Sequence, residues 1–505
     1  MSDDALRLAR QRFGVDSFRP GQREIIDAAL AGRPVLGILP TGAGKSLCFQ
    51  LPALMIPGAT VIVSPLISLM QDQQEKLAER RLESAGMNST LSAGEQREQE
   101  RDIRRGEHEF IYTTPEQLEN PERLRTLQRA GVSLFVVDEA HCVSQWGHDF
   151  RPAYLGLRDA IKQLGSPRVM ALTATATPEV AEDILRQLGI APSEAEVVRT
   201  SVERENLHLE VRRAVSEDAK RVALASILRK ERGSGIVYVA TVKAANELHA
   251  WLQAGGLEVV RYHGKLPMKE REAAQRAFMD GEARVVVATR AFGLGIDKPD
   301  IRFVIHHQFP DSLESYYQEV GRAGRDGERA KGILLYRLED KRIQGFFLGG
   351  KYPNREDARR LYETLLLVLQ REGRKSVGLG ALAGAAEVSE KRAKVLVAEL
   401  QSAGVLTRSP RGVKPVRTLT SEELDDYLNA YEARAAHDRQ RLDGMMAYGQ
   451  SVKCRWAQLR EYFGESAPEG GCGHCDVCTE GAERVLEKGA VRLPHTSLEE
   501  PAVTP

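Results

Sequence analysis

The chain has no excess of charge of either sign. Its 505 residues include 71 Lys and Arg against 71 Asp and Glu, so the formal net charge is zero. A uniformly basic or acidic protein is therefore excluded, and any surface that binds a polyanion must be local. Hydrophobic residues make up 42% of the chain and charged residues 28%, which is typical of a globular protein. A chain of this length is expected to fold into about three to four domains.

Long apolar runs are also missing. None approaches the ~18 residues that a membrane-spanning helix needs, so we expect no membrane association. The chain starts with MSDDA, which is acidic where a secretory leader is basic, and no apolar segment follows. These features predict a cytoplasmic protein.

Cysteine is scarce and unevenly distributed. Cys48 and Cys142 stand far apart, and the other four cysteines lie in the last fifth of the chain: Cys454, Cys472, Cys475 and Cys478. In a reducing compartment such a cluster indicates a metal site more than disulfides. Four thiolates can close a tetrahedral structural zinc site, although a Cys-x2-Cys-x2-Cys run can also hold an iron–sulfur cluster. His474 is a further candidate ligand.

The most informative stretch is residues 39–46, LPTGAGKS, between an apolar run typical of a buried strand and the first turns of a helix. A glycine-rich loop in this setting binds phosphate through backbone N–H groups and the helix N-terminus. Lys45 is expected to reach the β- and γ-phosphates, and Ser46 to hold Mg²⁺. Leu39 stands where the strict motif has its first glycine, so a chance glycine-rich turn is the alternative. The predicted loop contacts are Thr41, Gly42, Ala43, Gly44, Lys45 and Ser46.

A pair of acids ends another apolar run, in residues 134–141, LFVVDEAH. An acid at the end of a buried strand can hold Mg²⁺, and a neighbouring acid can polarise the attacking water. We therefore assign Asp138 to Mg²⁺ and Glu139 to the general base. The alternative is a pair of acids favoured at a helix N-terminus by the dipole alone.

Apolar runs separated by helical stretches predict two α/β units with parallel sheets. In the first unit the runs after the phosphate loop are residues 59–66, 110–116, 134–141 and 169–178. The second unit begins near Asn206, with strands predicted at residues 235–241, 259–264 and 284–290. Ligands of such sheets bind at the carboxyl ends of the strands. The second unit has no Gly-Lys-Ser loop, so it is not an independent nucleotide site of this kind.

Directly after the acids, residues 142–154, CVSQWGHDFRPAY, form a loop with three aromatic residues. Aromatic faces stack on unpaired bases, and arginine contacts phosphate. The predicted nucleic-acid contacts in this loop are Trp146, His148, Phe150 and Arg151. Aromatic side chains packed beneath a surface loop are the alternative.

Two further motifs complete the predicted nucleotide site. Arg322 and Arg325 are flanked by glycines and suit a γ-phosphate contact made from a facing domain. A solvated basic turn is the alternative. Gln22, upstream of the phosphate loop, can pair with both the donor and the acceptor edge of adenine. The alternative there is an ordinary helix start at Pro20 and Gly21.

In this order the motifs resemble the RecQ family of DNA helicases over the first 345 residues or so. The matching stretches are residues 18–22, 40–46, 64–73, 138–141, the Trp146 loop, 173–177, 291–299 and 321–327. The resemblance implies two RecA-like domains with ATP between them, single-stranded DNA across their tops, and 3′-to-5′ translocation. It also implies that His141 belongs to the catalytic set and that Arg19, Gln22, Asp297 and Gln318 belong to the ATP site.

Two residues depart from the family pattern. Val15 stands where the family often has an aromatic residue, which leaves the adenine-stacking partner open. Arg290 follows Thr289 where Asn is expected.

The segment after the second unit predicts a winged-helix-like module of helices followed by a hairpin. Residues 371–417 carry ten Lys and Arg against four Asp and Glu, which supplies the local basic surface. A three-helix packing module is the alternative. The predicted DNA contacts here are Lys391, Arg392, Lys394 and Arg411.

The surroundings of the cysteines resemble the RecQ zinc-binding segment, which favours zinc over an iron–sulfur cluster. The usual family order places zinc before the winged helix, whereas here the winged-helix pattern comes first. We expect RecA-like domains at residues 1–205 and 206–350, a winged-helix-like domain at 351–419, a helical zinc-binding domain at 420–481 and a disordered tail at 482–505.

The sequence therefore predicts an α/β protein that acts as an ATP-dependent 3′-to-5′ DNA helicase in DNA repair or recombination. Its cofactors would be ATP, Mg²⁺ and structural Zn²⁺. Its partner would be DNA, single-stranded or as tailed or branched duplex, in a bacterial-type, nucleoid-associated setting. A single-stranded DNA-binding protein is a conceivable partner that the sequence does not identify. The rivals are an RNA helicase, a DNA translocase that does not separate strands, and a DNA-binding scaffold with an inactive nucleotide site.

Overall fold

Two parallel sheets, each with an apolar core on both faces, form the first two thirds of the fold. The computed structural model describes residues 2–88, 91–147, 149–293, 296–351, 355–373, 375–402, 404–409 and 412–488. Helices and strands are numbered below in chain order.

The first α/β unit contains the strands β1 (Val35–Ile38), β2 (Ala59–Val63), β3 (Ser84–Met87), β4 (Phe110–Thr113), β5 (Val132–Val137), β6 (Arg168–Thr173) and β7 (Glu196–Arg199). Its helices are α1 (Ser2–Phe13), α2 (Gln22–Leu30), α3 (Lys45–Met55), α4 (Ile67–Glu79), α5 (Ala93–Arg105), α6 (Pro115–Leu118), α7 (Pro121–Ala130), α8 (Leu157–Gln163) and α9 (Pro178–Leu188). Two short 3₁₀ helices, Ala140–Val143 and Pro152–Gly156, lie in the loop after β5.

All seven strands are parallel, in the spatial order β3-β4-β2-β5-β6-β1-β7. The central strands are buried on both faces, as a sheet covered on both sides by helices requires. On β5, Phe135 and Val137 pack into one core while Leu134 and Val136 pack into the other. The carboxyl ends of β1 and β5, where the phosphate loop and the acids begin, therefore lie at the same edge of one sheet.

The second α/β unit contains the strands β8 (Leu207–Arg213), β9 (Ser234–Tyr238), β10 (Val259–Tyr262), β11 (Val285–Ala288), β12 (Ile301–His306) and β13 (Ala330–Tyr336). Its helices are α10 (Glu217–Lys230), α11 (Val242–Ala254), α12 (Met268–Met279), α13 (Leu313–Val320) and α14 (Lys341–Lys351), with a 3₁₀ turn at Leu338–Asp340. All six strands are parallel, in the order β10-β11-β9-β12-β13-β8. The predicted α/β class with two parallel sheets is confirmed.

A small module follows, made of the helices α15 (Arg355–Glu372), α16 (Leu379–Ala385) and α17 (Glu390–Ser402) and the antiparallel hairpin β14 (Leu406–Ser409) and β15 (Gly412–Pro415). A bridge between Val377 and Val413 attaches the hairpin to the segment before α16. The hairpin follows α17 as in the predicted winged-helix-like pattern. The turn of the hairpin, residues 410–411, lies outside the described residues.

The last part of the described chain consists of the helices α18 (Ser421–Gln450), α19 (Arg455–Tyr462), α20 (Asp476–Glu480) and α21 (Ala482–Lys488). Thr420 and Glu423 form a capping box that starts α18, as the sequence predicts. With 30 residues, α18 is about 45 Å long. Its first turns join the core of the small module through Leu424 and Leu428, and its last turns pack against the second α/β unit through Met445 and Tyr448.

The expectation of a disordered tail from residue 482 is wrong for its first seven residues, because Ala482–Lys488 form α21. Val485 packs there as a buried side chain. Residues 489–505 lie outside the described residues. Every helix within the described ranges is too short or too polar to cross a membrane.

The packing of α18 against β13 generates a prediction. A Cβ added at Gly449 would lie 2.2 Å from ring atom Cδ2 of Tyr336, whereas nothing lies within 4 Å of one added at Gly444. We expect Gly449→Ala to lower the free energy of unfolding by about 1–3 kcal/mol, because the ring is held by stacking on Phe309. Gly444→Ala, on the same helix, should raise it by about 0.5–1 kcal/mol. Denaturant unfolding measures both, and equal stability of the two variants would contradict this packing.

Candidate nucleotide site and zinc centre

The phosphate loop joins β1 to α3 at the carboxyl edge of the first sheet. Gly42 and Gly44 have φ angles of +84° and +77°, in the left-handed region that favours glycine. Gly44 directly precedes the first residue of α3, so the loop ends at a helix N-terminus. The Nζ atom of Lys45 lies 3.4 Å from the carbonyl oxygen of Leu39 and is thus folded back over the loop. This is the geometry of an anion-binding turn.

Gln22 and Arg19 hold this loop in shape. The amide nitrogen of Gln22 donates to the carbonyls of Ala43 at 2.9 Å and Gly44 at 3.0 Å, and its oxygen accepts from the backbone N–H of Arg19 at 2.9 Å. The guanidinium of Arg19 donates to the carbonyl of Gly42. The Gln22 amide is therefore engaged with the loop, and its contact with adenine stays a prediction.

An aromatic residue does lie on this side of the site, at a position that the sequence reasoning missed. Phe13 and Val15 both line the cleft next to the phosphate loop. The guanidinium of Arg80 lies 5.2 Å from the centre of the Phe13 ring. Phe13 ends α1 and belongs to the apolar core of the first unit, so no local signal in the sequence distinguishes it from other core residues.

The acids lie where β5 ends, and their neighbours fix their geometry. Asp138 is buried, and its carboxylate accepts the backbone N–H of Glu139 at 3.0 Å. Glu139 has a φ of +49°, a strained value for a residue with a side chain. Nδ1 of His141 lies 3.3 Å from the Glu139 carboxylate and 3.0 Å from the hydroxyl of Thr173 on β6. His141 therefore positions Glu139.

The two carboxyl groups differ in electrostatic environment. Burial, together with the charge of Glu139, raises the pKa of Asp138 to about 7. Burial acts in the same direction on Glu139, but the hydrogen bond and charge of His141, with Lys45 and Arg322, outweigh it and lower the pKa of Glu139 to about 2. Glu139 is thus ionised at neutral pH, and a cation bound beside Asp138 would favour its ionised form too.

The two arginines come from the second α/β unit and face the first. They lie in the turn that follows α13, and not on a helix face. The side chain of Arg325 lies against Gly42 of the phosphate loop, and Arg322 is close enough to Glu139 to lower its pKa. The Nε atoms of both arginines are buried without a hydrogen-bond partner among the described residues. Unpartnered buried donors beside a phosphate loop fit an anionic ligand.

Two contacts across the cleft involve residues implied by the family resemblance. Asp297 accepts from Arg325 at 2.7 Å and from Lys76 of α4 at 2.5 Å, so it links both units. The amide of Gln318 donates to the hydroxyl of Thr175 at 3.3 Å. Lys76 was missed, because nothing in the sequence of α4 marks it. The cleft between the units is a cavity of ≈ 640 Å³, lined by the phosphate loop, the acids and both arginines.

The aromatic loop contacts α18 and another loop of its own α/β unit. The ring of Trp146 makes an edge contact with His437 of α18 at 5.4 Å, and Arg434 of α18 lies 6.0 Å over the ring of Phe150. Arg151 donates to the carbonyl of Pro65 at 2.7 Å. Trp146 and Phe150 therefore both lie next to α18. The sequence did not indicate this contact. His148 lies outside the described residues.

The predicted DNA contacts of the winged-helix-like module are less well defined. Lys394 is exposed on α17, and Arg392 is exposed but pairs with Asp357 at 3.1 Å. The side chain of Lys391 and the whole of Arg411 lie outside the described residues. The module therefore presents part of the predicted cationic surface.

The four cysteines of the last module converge as the sequence predicts. Their Sγ atoms all lie within 4.8 Å of one another, with 3.9 Å between Cys472 and Cys478 and 4.0 Å between Cys454 and Cys475. Tetrahedral Zn–S bonds of about 2.3 Å require sulfur–sulfur distances of about 3.8 Å. His474 is not a member of this four-thiol group; it lies in a separate group with Glu203 and Cys472, and its Nδ1 is 2.8 Å from the carbonyl oxygen of Cys472.

Comparison with known proteins identifies this arrangement. The family models for the DEAD/DEAH box helicase, the helicase conserved C-terminal domain and the RecQ zinc-binding segment match residues 19–184, 219–327 and 411–479. RecQ of Bacillus subtilis is 44% identical over 346 residues, which are 68% of this chain and 58% of that protein. The probable helicase RecS of the same organism is 42% identical over 66% of this chain and 67% of its own length.

The chain belongs to the RecQ family of ATP-dependent DNA helicases. The matched part spans 58% and 67% of the length of these two relatives. Among solved structures, the DUF1998 helicase MrfA bound to DNA and AMPPNP shares the fold, with a TM-score of 0.55 at 19% identity over 83% of this chain and 62% of its own.

Family membership decides the identity of the metal. The matched RecQ zinc-binding segment contains all four cysteines, so the cluster is a zinc site and the iron–sulfur alternative is dropped. Backbone N–H groups of Ala457 and Cys472 donate to Cys454, and that of Arg455 donates to Cys475. Such donors stabilise thiolates, as a zinc ligand set requires.

We expect one zinc ion per chain, lost on replacement of any one ligand such as Cys472→Ser. Elemental analysis of the purified protein measures the zinc content. Cys48→Ala is the matched control, because Cys48 lies in α3, outside the cluster, and should keep a full zinc equivalent. Full zinc content in Cys472→Ser would contradict the ligand set.

Proposed function

We propose that the chain hydrolyses ATP in the cleft while moving 3′ to 5′ along single-stranded DNA and separating duplex. Membership of the RecQ family supports this, and one observation carries it most directly. Lys45, Glu139 and Arg322, which the hydrolysis of a nucleoside triphosphate needs, line one cavity although they come from two α/β units.

The residues of the cleft divide the chemistry between them. Lys45 and the loop N–H groups bind the β- and γ-phosphates. Glu139, ionised and held by His141, accepts a hydrogen bond from the attacking water and orients it. Arg322 and Arg325 bring positive charge to the oxygens of the transferred phosphoryl group. Since these arginines belong to the second unit, hydrolysis depends on closure of the cleft.

Ser46 and Asp138 would hold Mg²⁺ in this scheme, and the ion would neutralise phosphate charge. Both residues line the cleft, and Asp138 offers a buried carboxylate oxygen as a metal ligand. Oxygen ligands of this kind are those that Mg²⁺ prefers.

DNA is proposed to bind at the aromatic loop and the basic surface of the winged-helix-like module. Trp146 and Phe150 are partly exposed, and the cation of Arg434 lies over the ring of Phe150. Arg151 follows Phe150 in the chain and is also partly exposed. Stacking on aromatic rings together with phosphate contacts is how proteins bind single strands without sequence preference. The substrates proposed are single strands and tailed or branched duplexes in bacterial cytoplasm, in repair or recombination. Interaction with a single-stranded DNA-binding protein remains outside this proposal.

Removal of either half of the nucleotide site should abolish turnover. We expect Lys45→Ala to eliminate measurable ATP hydrolysis and Arg322→Ala to lower kcat on the order of 10³-fold, because both act on phosphate charge. A coupled assay with saturating single-stranded DNA measures this. Arg229→Ala, an exposed position on α10, serves as the control. Retained turnover in Lys45→Ala would refute the assignment.

The direction and type of movement are tested with three duplexes, carrying a 3′ tail, a 5′ tail or no tail. We expect strand separation of the 3′-tailed duplex and little of the others, with hydrolysis stimulated more by single-stranded DNA than by RNA. Stimulation without strand separation would identify a translocase. Opening of the 5′-tailed duplex alone would reverse the proposed polarity.

A further inference from the structure

Arg290 lies at the carboxyl edge of the second sheet, directly after β11, in a turn closed by a 2.9 Å hydrogen bond from the N–H of Phe292 to the carbonyl of Thr289. Two carboxylates face its guanidinium. Asp311, of the same unit, lies at 3.5 Å, and Asp149, of the aromatic loop, also lies at 3.5 Å. The second contact crosses from one α/β unit to the other.

The contact with Asp311 fixes Arg290 on its own unit. One oxygen of the Asp311 carboxylate accepts the hydroxyl of Ser315 at 2.7 Å, and the other faces the guanidinium. Arg290 therefore faces Asp311 with Nη1 and reaches Asp149 of the loop with Nη2. Because Asp311 and Arg290 belong to the same unit, the contact that orients Arg290 does not depend on the loop.

The aromatic loop also contacts the backbone of His141 and Cys142, which follow the acids in the chain. A Cβ at Gly147 would be 2.1 Å from the carbonyl oxygen of His141, and the N–H of Arg151 donates to the carbonyl of Cys142 at 3.0 Å. Asp149 also pairs with Arg151 at 3.4 Å, so these contacts connect Asp149 to His141, whose Nδ1 lies 3.3 Å from the Glu139 carboxylate. The ion pair of Arg290 with Asp149 is thus connected to Glu139, the proposed general base, through the aromatic loop and His141.

We propose that Arg290 is a positioning residue that holds the aromatic loop against the second unit and so couples DNA binding at the loop to ATP hydrolysis. The inference rests on the proposed function. Arg290 contacts neither phosphate nor base in this scheme, and it acts through Asp149. Both side chains are partly exposed, at 52% and 30%, so the pair adds little to folding stability and its effect is separable from unfolding.

The competing explanation is that Arg290 contacts a DNA phosphate directly. A double-mutant cycle separates the two, because removal of a partner abolishes an effect that passes through it. The variants are Arg290→Gln, Asp149→Asn, the double variant and Arg290→Lys, each in the full chain. Two quantities are measured with a single-stranded DNA of fixed length: the ratio of DNA-stimulated to DNA-free hydrolysis, and the DNA concentration for half-maximal stimulation.

We expect Arg290→Gln to lower the stimulation ratio about fivefold, and the double variant to be no lower than Asp149→Asn. Arg290→Lys should recover most of the ratio, because it retains the charge. The concentration for half-maximal stimulation should change less than twofold between Asp149→Asn and the double variant. Arg229→Gln, exposed on α10, is the matched control and should match the parent.

Additive losses in the two single variants, or a rise in the half-maximal DNA concentration that persists in the Asp149→Asn background, would overturn the inference in favour of direct phosphate contact. An unchanged ratio in Arg290→Gln would overturn it as well.

If the parent chain itself shows no stimulation by DNA, the proposed function fails and the inference with it. A stimulated parent with an equally stimulated Arg290→Gln refutes the inference alone. Thermal unfolding of each variant confirms that folding is unchanged.

Discussion

The structure depends on one constraint: in a parallel sheet, all carboxyl ends lie at the same edge. Both sheets of this chain turn that edge toward a common cleft. The phosphate loop after β1 and the acids after β5 are therefore neighbours, and the arginines after α13 approach them from the other side. Since neither sheet holds a complete site, relative movement of the two units is enough to assemble or disassemble it.

The long helix α18 connects the small module to the rest of the chain. This one helix takes part in the core of the winged-helix-like module at its start, contacts the aromatic loop at Arg434 and His437, and packs on the second sheet near its end. A buried pair, Arg455 with Asp476, then ties the zinc segment to the same sheet, because Asp476 also accepts the N–H of Val211 on β8. The small module and the zinc segment are thus connected to both α/β units that form the cleft.

Much of this arrangement could be predicted because its signals are local. A strand, a glycine-rich loop and Lys45 occur in sequence, as do β5 with its acids and three of the four cysteines. Contacts such as Lys76 with Asp297 and Arg290 with Asp149 join residues more than 100 positions apart. The motifs around Asp297, Arg290 and Asp149 marked these residues, but nothing in the sequence indicated which residues they contact. The same is true of α18 and the aromatic loop. Gln22 shows a further limit of prediction from sequence. Its residue type indicates that the amide can donate and accept hydrogen bonds, but not that the backbone of the phosphate loop already uses some of them.

The zinc segment has a consequence for the solubility of the protein. β8 is an edge strand of seven residues, and an uncovered edge is a template for pairing with another chain. Here Trp456 donates to the carbonyl of Leu207 and Asp476 accepts from Val211, so the segment occupies hydrogen-bonding groups that an edge strand leaves open. Loss of the metal would therefore unfold the zinc segment and expose the unpaired hydrogen-bonding groups of β8. Aggregation by addition of a strand from another chain would follow.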